Sequence, residues 1–263
     1  MPVIVCNGMN RSGSTLQYNL VRGLLEKSGR GRGEGFILPE QLPHYATQLQ
    51  VWGEDSAFHV VKSHTLPPQA LAMIAANALY VCYIFRDIRQ VAASYKRIWQ
   101  TEGDKLLAEL DVAIANYRAV QALPGNVLTQ RYERVTSNLP AAAFELATFL
   151  ALDPSPKLLA EVVQECSAEN MQKVSGRLAR RLQFQTWLRR TTRRVLRRLG
   201  LRGLWLKMKP EIDPAGKRGI DQQTLLHPGH VSGRDTPTTA LTPAELSLIT
   251  NRYADWLHET NYL

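Results

Sequence analysis

The sequence is short of cysteine, of long apolar runs and, over one stretch, of acid. Its three cysteines, Cys6, Cys82 and Cys166, are odd in number and far apart. That argues against a disulfide framework and a cysteine-based zinc site. Cys6 and Cys82 fall inside apolar, strand-like runs, as buried thiols do in a reducing cytoplasm. No run reaches the length of a spanning helix. The first apolar run is only Val3 to Cys6, and the first basic residue, Arg11, follows it, which is the reverse of a secretory leader. A cytoplasmic location is expected. Acid is missing from Arg177 to Lys209, where 12 residues are basic and none acidic. Subtracting those 12 from the net charge of +9 leaves −3 for the rest of the chain. A mildly acidic body with one basic element does not fit a nucleic-acid-binding domain, so no specific nucleic-acid partner is expected.

What is present reads as a single domain over residues 1–263, with a basic helical insertion at about 176–226. Short apolar runs rich in β-formers recur at Val3–Cys6, Phe58–Val61, Tyr80–Phe85 and Val127–Thr129. Helical spacing lies between them: Leu16, Leu20 and Leu24; Ile88, Val91, Ala92 and Tyr95; Leu106, Leu110, Ile114 and Tyr117. Strands alternating with helices predict an α/β fold of three layers. A mostly parallel central sheet is flanked by helices, and ligands meet the carboxyl ends of its strands. Thr242-Pro243-Ala244-Glu245 predicts a helix start, with an N-cap threonine, proline at the first helical position and glutamate at the third. Gly29 to Gly35 alternates glycine with charge and reads as a mobile loop.

Three segments carry chemistry. Gly8-Met9-Asn10-Arg11-Ser12-Gly13-Ser14-Thr15 follows the first strand and opens a helix. This is a P-loop-like phosphate-binding loop, in which amides and a helix N-terminus meet an anion and Arg11, Ser12, Ser14 and Thr15 add donors. Ser14 stands where a nucleotide kinase has its lysine, so the loop suits a less charged donor that needs no metal. An N-capped helix is the plainer alternative. Lys62 and His64, two apart at a strand end, share one face of extended chain. There a histidine accepts a proton from a hydroxyl and a lysine stabilises a breaking bond; a solvated strand end is the alternative. The third segment, Tyr80 to Phe85, runs into Arg86, with Ser94 about two helical turns on. Arginine and a serine hydroxyl make a phosphate clamp, against an arginine merely capped by Asp87.

Together these segments resemble the sulfotransferases that use 3′-phosphoadenosine 5′-phosphosulfate (PAPS). Arg11 to Thr15 is similar to that family's loop for the 5′-phosphosulfate. Lys62-Ser63-His64 followed by Pro67 is similar to its catalytic element, with one extra residue before the proline. Arg86 and Ser94 fall on its 3′-phosphate positions. Arg131-Tyr132-Glu133 and Cys166-Ser167-Ala168-Glu169-Asn170-Met171 resemble segments near the adenine, and Gly229-His230-Val231-Ser232-Gly233 a C-terminal phosphate segment. The chain departs from the family at Leu16, where many members have a tryptophan, at Ile88 and Gln90, and at His227-Pro228-Gly229. The resemblance implies His64, Lys62 and Arg11 as catalytic residues. It implies Arg11, Ser12, Gly13, Ser14, Thr15, Arg86, Ser94, Tyr132, Ser167, Gly229 and His230 as donor-binding, and no metal. PAPS would be the donor co-substrate, adenosine 3′,5′-bisphosphate (PAP) the product, and the acceptor a small molecule, lipid or glycan. Acceptor pockets of the family are built from loops, here Arg32 to Val51 and the segment after Met171.

Two other functions fit parts of the sequence. A P-loop kinase of a small molecule fits the loop but needs the missing lysine. A membrane-surface binding module fits the basic segment. From Phe184 to Leu199, Phe184, Leu188, Val195 and Leu199 fall on one helical line and six arginines on the other side. Such a helix at 184–199 contacts an anionic membrane peripherally, meets an acidic partner, or simply covers the core.

Overall fold

The computed structural model describes residues 2–198, 224–226 and 238–263. The chain forms two compact units, one of residues 1–166 with 234–263 and one of residues 167–233. In chain order the first unit contains β1 (Val3–Gly8), α1 (Ser14–Lys27), β2 (Gly31–Phe36), α2 (Ala46–Glu54), β3 (Phe58–Lys62), α3 (Ala70–Ala75), β4 (Leu79–Phe85) and α4 (Ile88–Trp99). It continues with α5 (Gly103–Gln121), β5 (Val127–Arg131), α6 (Tyr132–Ser137), α7 (Leu139–Phe149) and α8 (Pro156–Cys166). Helix α9 (Ala168–Arg198) belongs to the second unit; α10 (Pro243–Arg252) and α11 (Ala254–Glu259) return to the first. Among the described residues no helix is long and apolar enough to cross a membrane.

The five strands form one sheet in the order β2-β3-β1-β4-β5, and every neighbouring pair is parallel. Parallel strands lie between layers of helices, so both faces must be apolar. Accordingly every residue of β1 is buried. Leu110, Ile114 and Tyr117 of α5 join Val81, Tyr83 and Phe85 of β4 and Trp256 of α11 in one buried cluster. Each such large apolar side chain contributes about 1.5–3 kcal/mol on burial. The chain fills the β3 side of β1 before it fills the β4 side. The loops at the carboxyl ends of β1, β3 and β4 therefore meet where the order reverses, the usual ligand crevice of such sheets.

Gly31–Phe36 is a strand, not the mobile loop its composition suggests. It pairs with β3 and slips register between Gly33 and Gly35. Its glycines answer to close approach. A Cβ at Gly31 would lie 2.4 Å from the Phe58 carbonyl oxygen, and one at Gly33 would lie 2.6 Å from the Tyr18 hydroxyl on α1. The strand is also pinned by His59 of β3, which is wholly buried. His59 Nδ1 lies 2.6 Å from Glu34 and Nε2 lies 2.7 Å from Asp55, while its ring stacks on Trp52. At the other end of the chain α10 starts where expected. Thr242 and Glu245 form a reciprocal capping box, and Glu245 also accepts from Lys96 at 2.8 Å.

Candidate active site

The loop from Gly8 to Thr15 carries two left-handed residues, Arg11 with φ 69° and Gly13 with φ 91°. Such alternation turns successive amides into one concavity, a nest for an anion. Gly13 is the N-cap of α1 and makes no side-chain bond, so the first amides of the helix keep their hydrogens for a ligand. Glycine is needed there for space as well as conformation, since a Cβ would lie 2.6 Å from the Tyr132 ring. Arg11 has no such excuse; left-handed backbone costs it about 1–2 kcal/mol. Ser12 turns inward. Its hydroxyl lies 2.6 Å from the Met9 carbonyl and 2.8 Å from that of Ile84, which fastens the loop to β4. Ser14 is buried in the first turn of α1.

The cation missing at Ser14 arrives from the neighbouring strand. Lys62 ends β3, and its Nζ donates to Thr15 Oγ1 at 3.0 Å. Burial first, then the Arg11 charge, pulls its pKa down to about 8. His64 lies beyond the strand end, in the turn after β3. Its Nδ1 is 2.9 Å from the Gly8 carbonyl. A carbonyl only accepts, so Nδ1 carries the hydrogen and Nε2 keeps its lone pair. Burial, then Lys62, pushes the His64 pKa down to about 4, although the Gly8 bond opposes this. At neutral pH the imidazole is therefore uncharged.

The third strand end supplies Arg86, which is buried, with its guanidinium carbon 4.3 Å from the centre of the Tyr132 ring. Asp87 caps α4 by accepting from the Arg89 amide and pairs with the Arg89 side chain at 2.7 Å. On α4, buried Ser94 accepts from Arg11 Nε at 3.0 Å. Arg11, Thr15, Lys62, His64, Arg86, Ser94 and Tyr132 thus gather around the loop. Ser167 stands in the second unit, where its hydroxyl accepts from the Asn170 amide at the start of α9. Gly229 and His230 lie outside the described residues.

Two side chains at the site escaped sequence reasoning. Trp99 places its ring 5.5 Å from the Arg11 guanidinium carbon and stands four residues after Tyr95, a helical spacing that was there to be read. Phe36 lies 5.1 Å from Lys62 Nζ and packs edge-on against His64; it ends a strand whose glycines had disguised it. Among the described residues no group of three or more His, Cys, Asp or Glu is placed to hold a metal.

Cationic side chains from three neighbouring strand ends, converging on a nest of amides, define a P-loop-like α/β protein built for an anionic ligand. Within that class the chain belongs to the sulfotransferase family: the family model described as the sulfotransferase domain matches residues 2–224. No curated protein sequence matches the chain. Among solved structures, mouse sulfotransferase SULT7A1 complexed with PAP is similar in fold, with a TM-score of 0.56, 10% identity, and 99% of this chain and 84% of that one covered. Retinol dehydratase in complex with androsterone and the inactive cofactor PAP matches at a TM-score of 0.45 and 17% identity, over 65% of each chain. This chain thus spans slightly less than two thirds of the retinol dehydratase it matches.

Proposed function

We propose that the protein transfers the sulfuryl group of PAPS to the hydroxyl or amine of a small-molecule, lipid or glycan acceptor and releases PAP. The observation that carries this reading is the neutral imidazole of His64, held by the Gly8 carbonyl at 2.9 Å beside Lys62 and the loop. In the proposed step the acceptor oxygen or nitrogen attacks sulfur, and the bond from sulfur to the bridging oxygen breaks. The electron pair leaves on the 5′-phosphate, and His64 Nε2 takes the acceptor proton. The amides of Gly13, Ser14 and Thr15 hold the phosphosulfate, while Lys62 and Arg11 stabilise charge on the leaving phosphate. Arg86 and Ser94 hold the 3′-phosphate, with Tyr132 toward the adenine. PAPS has no polyphosphate for a metal to bridge.

The test uses labelled PAPS with a panel of acceptors. His64→Ala is expected to lower kcat by about 10²–10⁴-fold and to leave PAP affinity unchanged. Near-wild-type turnover by the folded variant removes His64 from the mechanism. Thermal stabilisation by ATP with Mg²⁺, and none by PAP, would favour the kinase reading instead.

The same reading takes residues 1–263 as one sulfotransferase domain with a basic insertion at about 176–226, working in the cytoplasm. A membrane contact is favoured by one observation. On α9, Phe184 and Trp187 are 60% and 58% exposed, and Leu188 and Val195 are exposed too, in a segment whose sequence is rich in arginine. Exposed aromatic bulk beside arginine suits the surface of an anionic bilayer.

A further inference from the structure

One cation near the loop remains unassigned. Gln90, Ser94 and Arg97 are spaced i, i+4 and i+7 along α4, so they form one stripe on one face of the helix. Ser94, at the centre of the stripe, receives the Arg11 Nε hydrogen bond at 3.0 Å. Residues three apart on a helix are about 5–6 Å apart at Cβ, well within the reach of an arginine side chain. Lys96, on another face, pairs with Glu245 at 2.8 Å and Glu102 at 3.4 Å. Arg97 is exposed and, among the described residues, has neither an ion pair nor a hydrogen bond. Gln90 Oε1 is buried, also with no partner among them.

We propose that Arg97 is a further donor-binding residue, supplying a second arginine to the 3′-phosphate that Arg86 and Ser94 hold. The proposal rests on the PAPS reading of the site. Its electrostatic support is separate from the stripe. Apart from burial, the charges that most lower the Arg11 pKa are Arg97 and then Arg86. The charges of Arg97 and Arg86 thus both act on Arg11 beside the loop, an arrangement that a dianionic phosphate relieves.

The experiment measures binding of PAP and of adenosine 5′-phosphate to the full-length protein by calorimetry. Arg97→Ala is expected to weaken PAP roughly tenfold, as loss of a charge-assisted phosphate contact does, and to change adenosine 5′-phosphate less than twofold. Arg97→Lys is expected to recover part of the preference. Among the described residues Arg97 has no ion-pair or hydrogen-bond partner to leave behind, so both variants should melt with the wild type. A preference for PAP that survives Arg97→Ala overturns the proposal alone, as does equal weakening of both ligands. A wild type that binds both nucleotides equally overturns the donor reading, and the proposal with it.

Discussion

His64 and Lys62 titrate on opposite sides of neutrality. In the proposed mechanism His64 acts as base when neutral, above its pKa of about 4, and Lys62 stabilises the leaving phosphate when charged, below its pKa of about 8. The pH dependence of kcat/KM reports these groups in the free enzyme. A bell is expected that rises through about 4, stays level across neutrality and falls through about 8. For kcat both limbs should lie higher, because bound anions favour the charged forms of His64 and Lys62 alike. An acid limb of kcat/KM near the ordinary histidine value would mean that the imidazole is not buried in solution. The identities of both residues were legible in the sequence, since a strand-end Lys-x-His next to a phosphate loop is a chemical pattern. Their tuning was not, because it comes from segments far off in the chain, the Gly8 carbonyl and the Phe36 ring among them.

Among the elements, β2 was the least legible. Glycine at positions 31, 33 and 35 signals a loop by propensity, but at 31 and 33 it marks where β3 and α1 crowd the strand, and at 35 it takes a left-handed φ of 93°. The clamp that holds the strand was equally hidden, since His59, Glu34 and Asp55 have no common motif. His59→Leu is expected to cost about 1–3 kcal/mol in urea unfolding, the usual range for removing two hydrogen bonds and a stacked ring at a buried position. The hydrogen bond to His59 holds the Asp55 pKa below its ordinary value. That stabilisation is present above the ordinary aspartate pKa and fades as pH falls through the lowered one. The gap between wild type and variant should therefore narrow in acid; a gap independent of pH would show that the Asp55 bond contributes nothing. The start of α10, by contrast, was written locally. Thr242 and Glu245 cap one helix within four residues, so no distant contact had to be known. The loop after β1 was legible for the same reason, and the strand order was not, because pairing joins residues far apart in the chain.

For the whole molecule, charge separates rather than averages. Residues 177–209 hold 12 positive charges and the rest sums to −3. If α9 meets a bilayer, the protein should sediment with anionic vesicles and not with neutral ones. Changing Arg189, Arg190, Arg193, Arg194, Arg197 and Arg198 to glutamine should leave it in the supernatant with turnover of a soluble acceptor intact. A wild type that stays with the supernatant in both cases rules the membrane reading out. Within the mildly acidic remainder, the loop is an island of the opposite sign. Arg11 lies among the charges of Arg97, Arg86 and Lys62, and with no anion present they repel one another. Ionic strength must then act in opposite directions on two properties of the same site. Dissolved ions screen the repulsion and steady the empty protein, while they also weaken the pull on an incoming phosphate. On the proposed reading the donor's phosphates serve as the counter-ions of these cations.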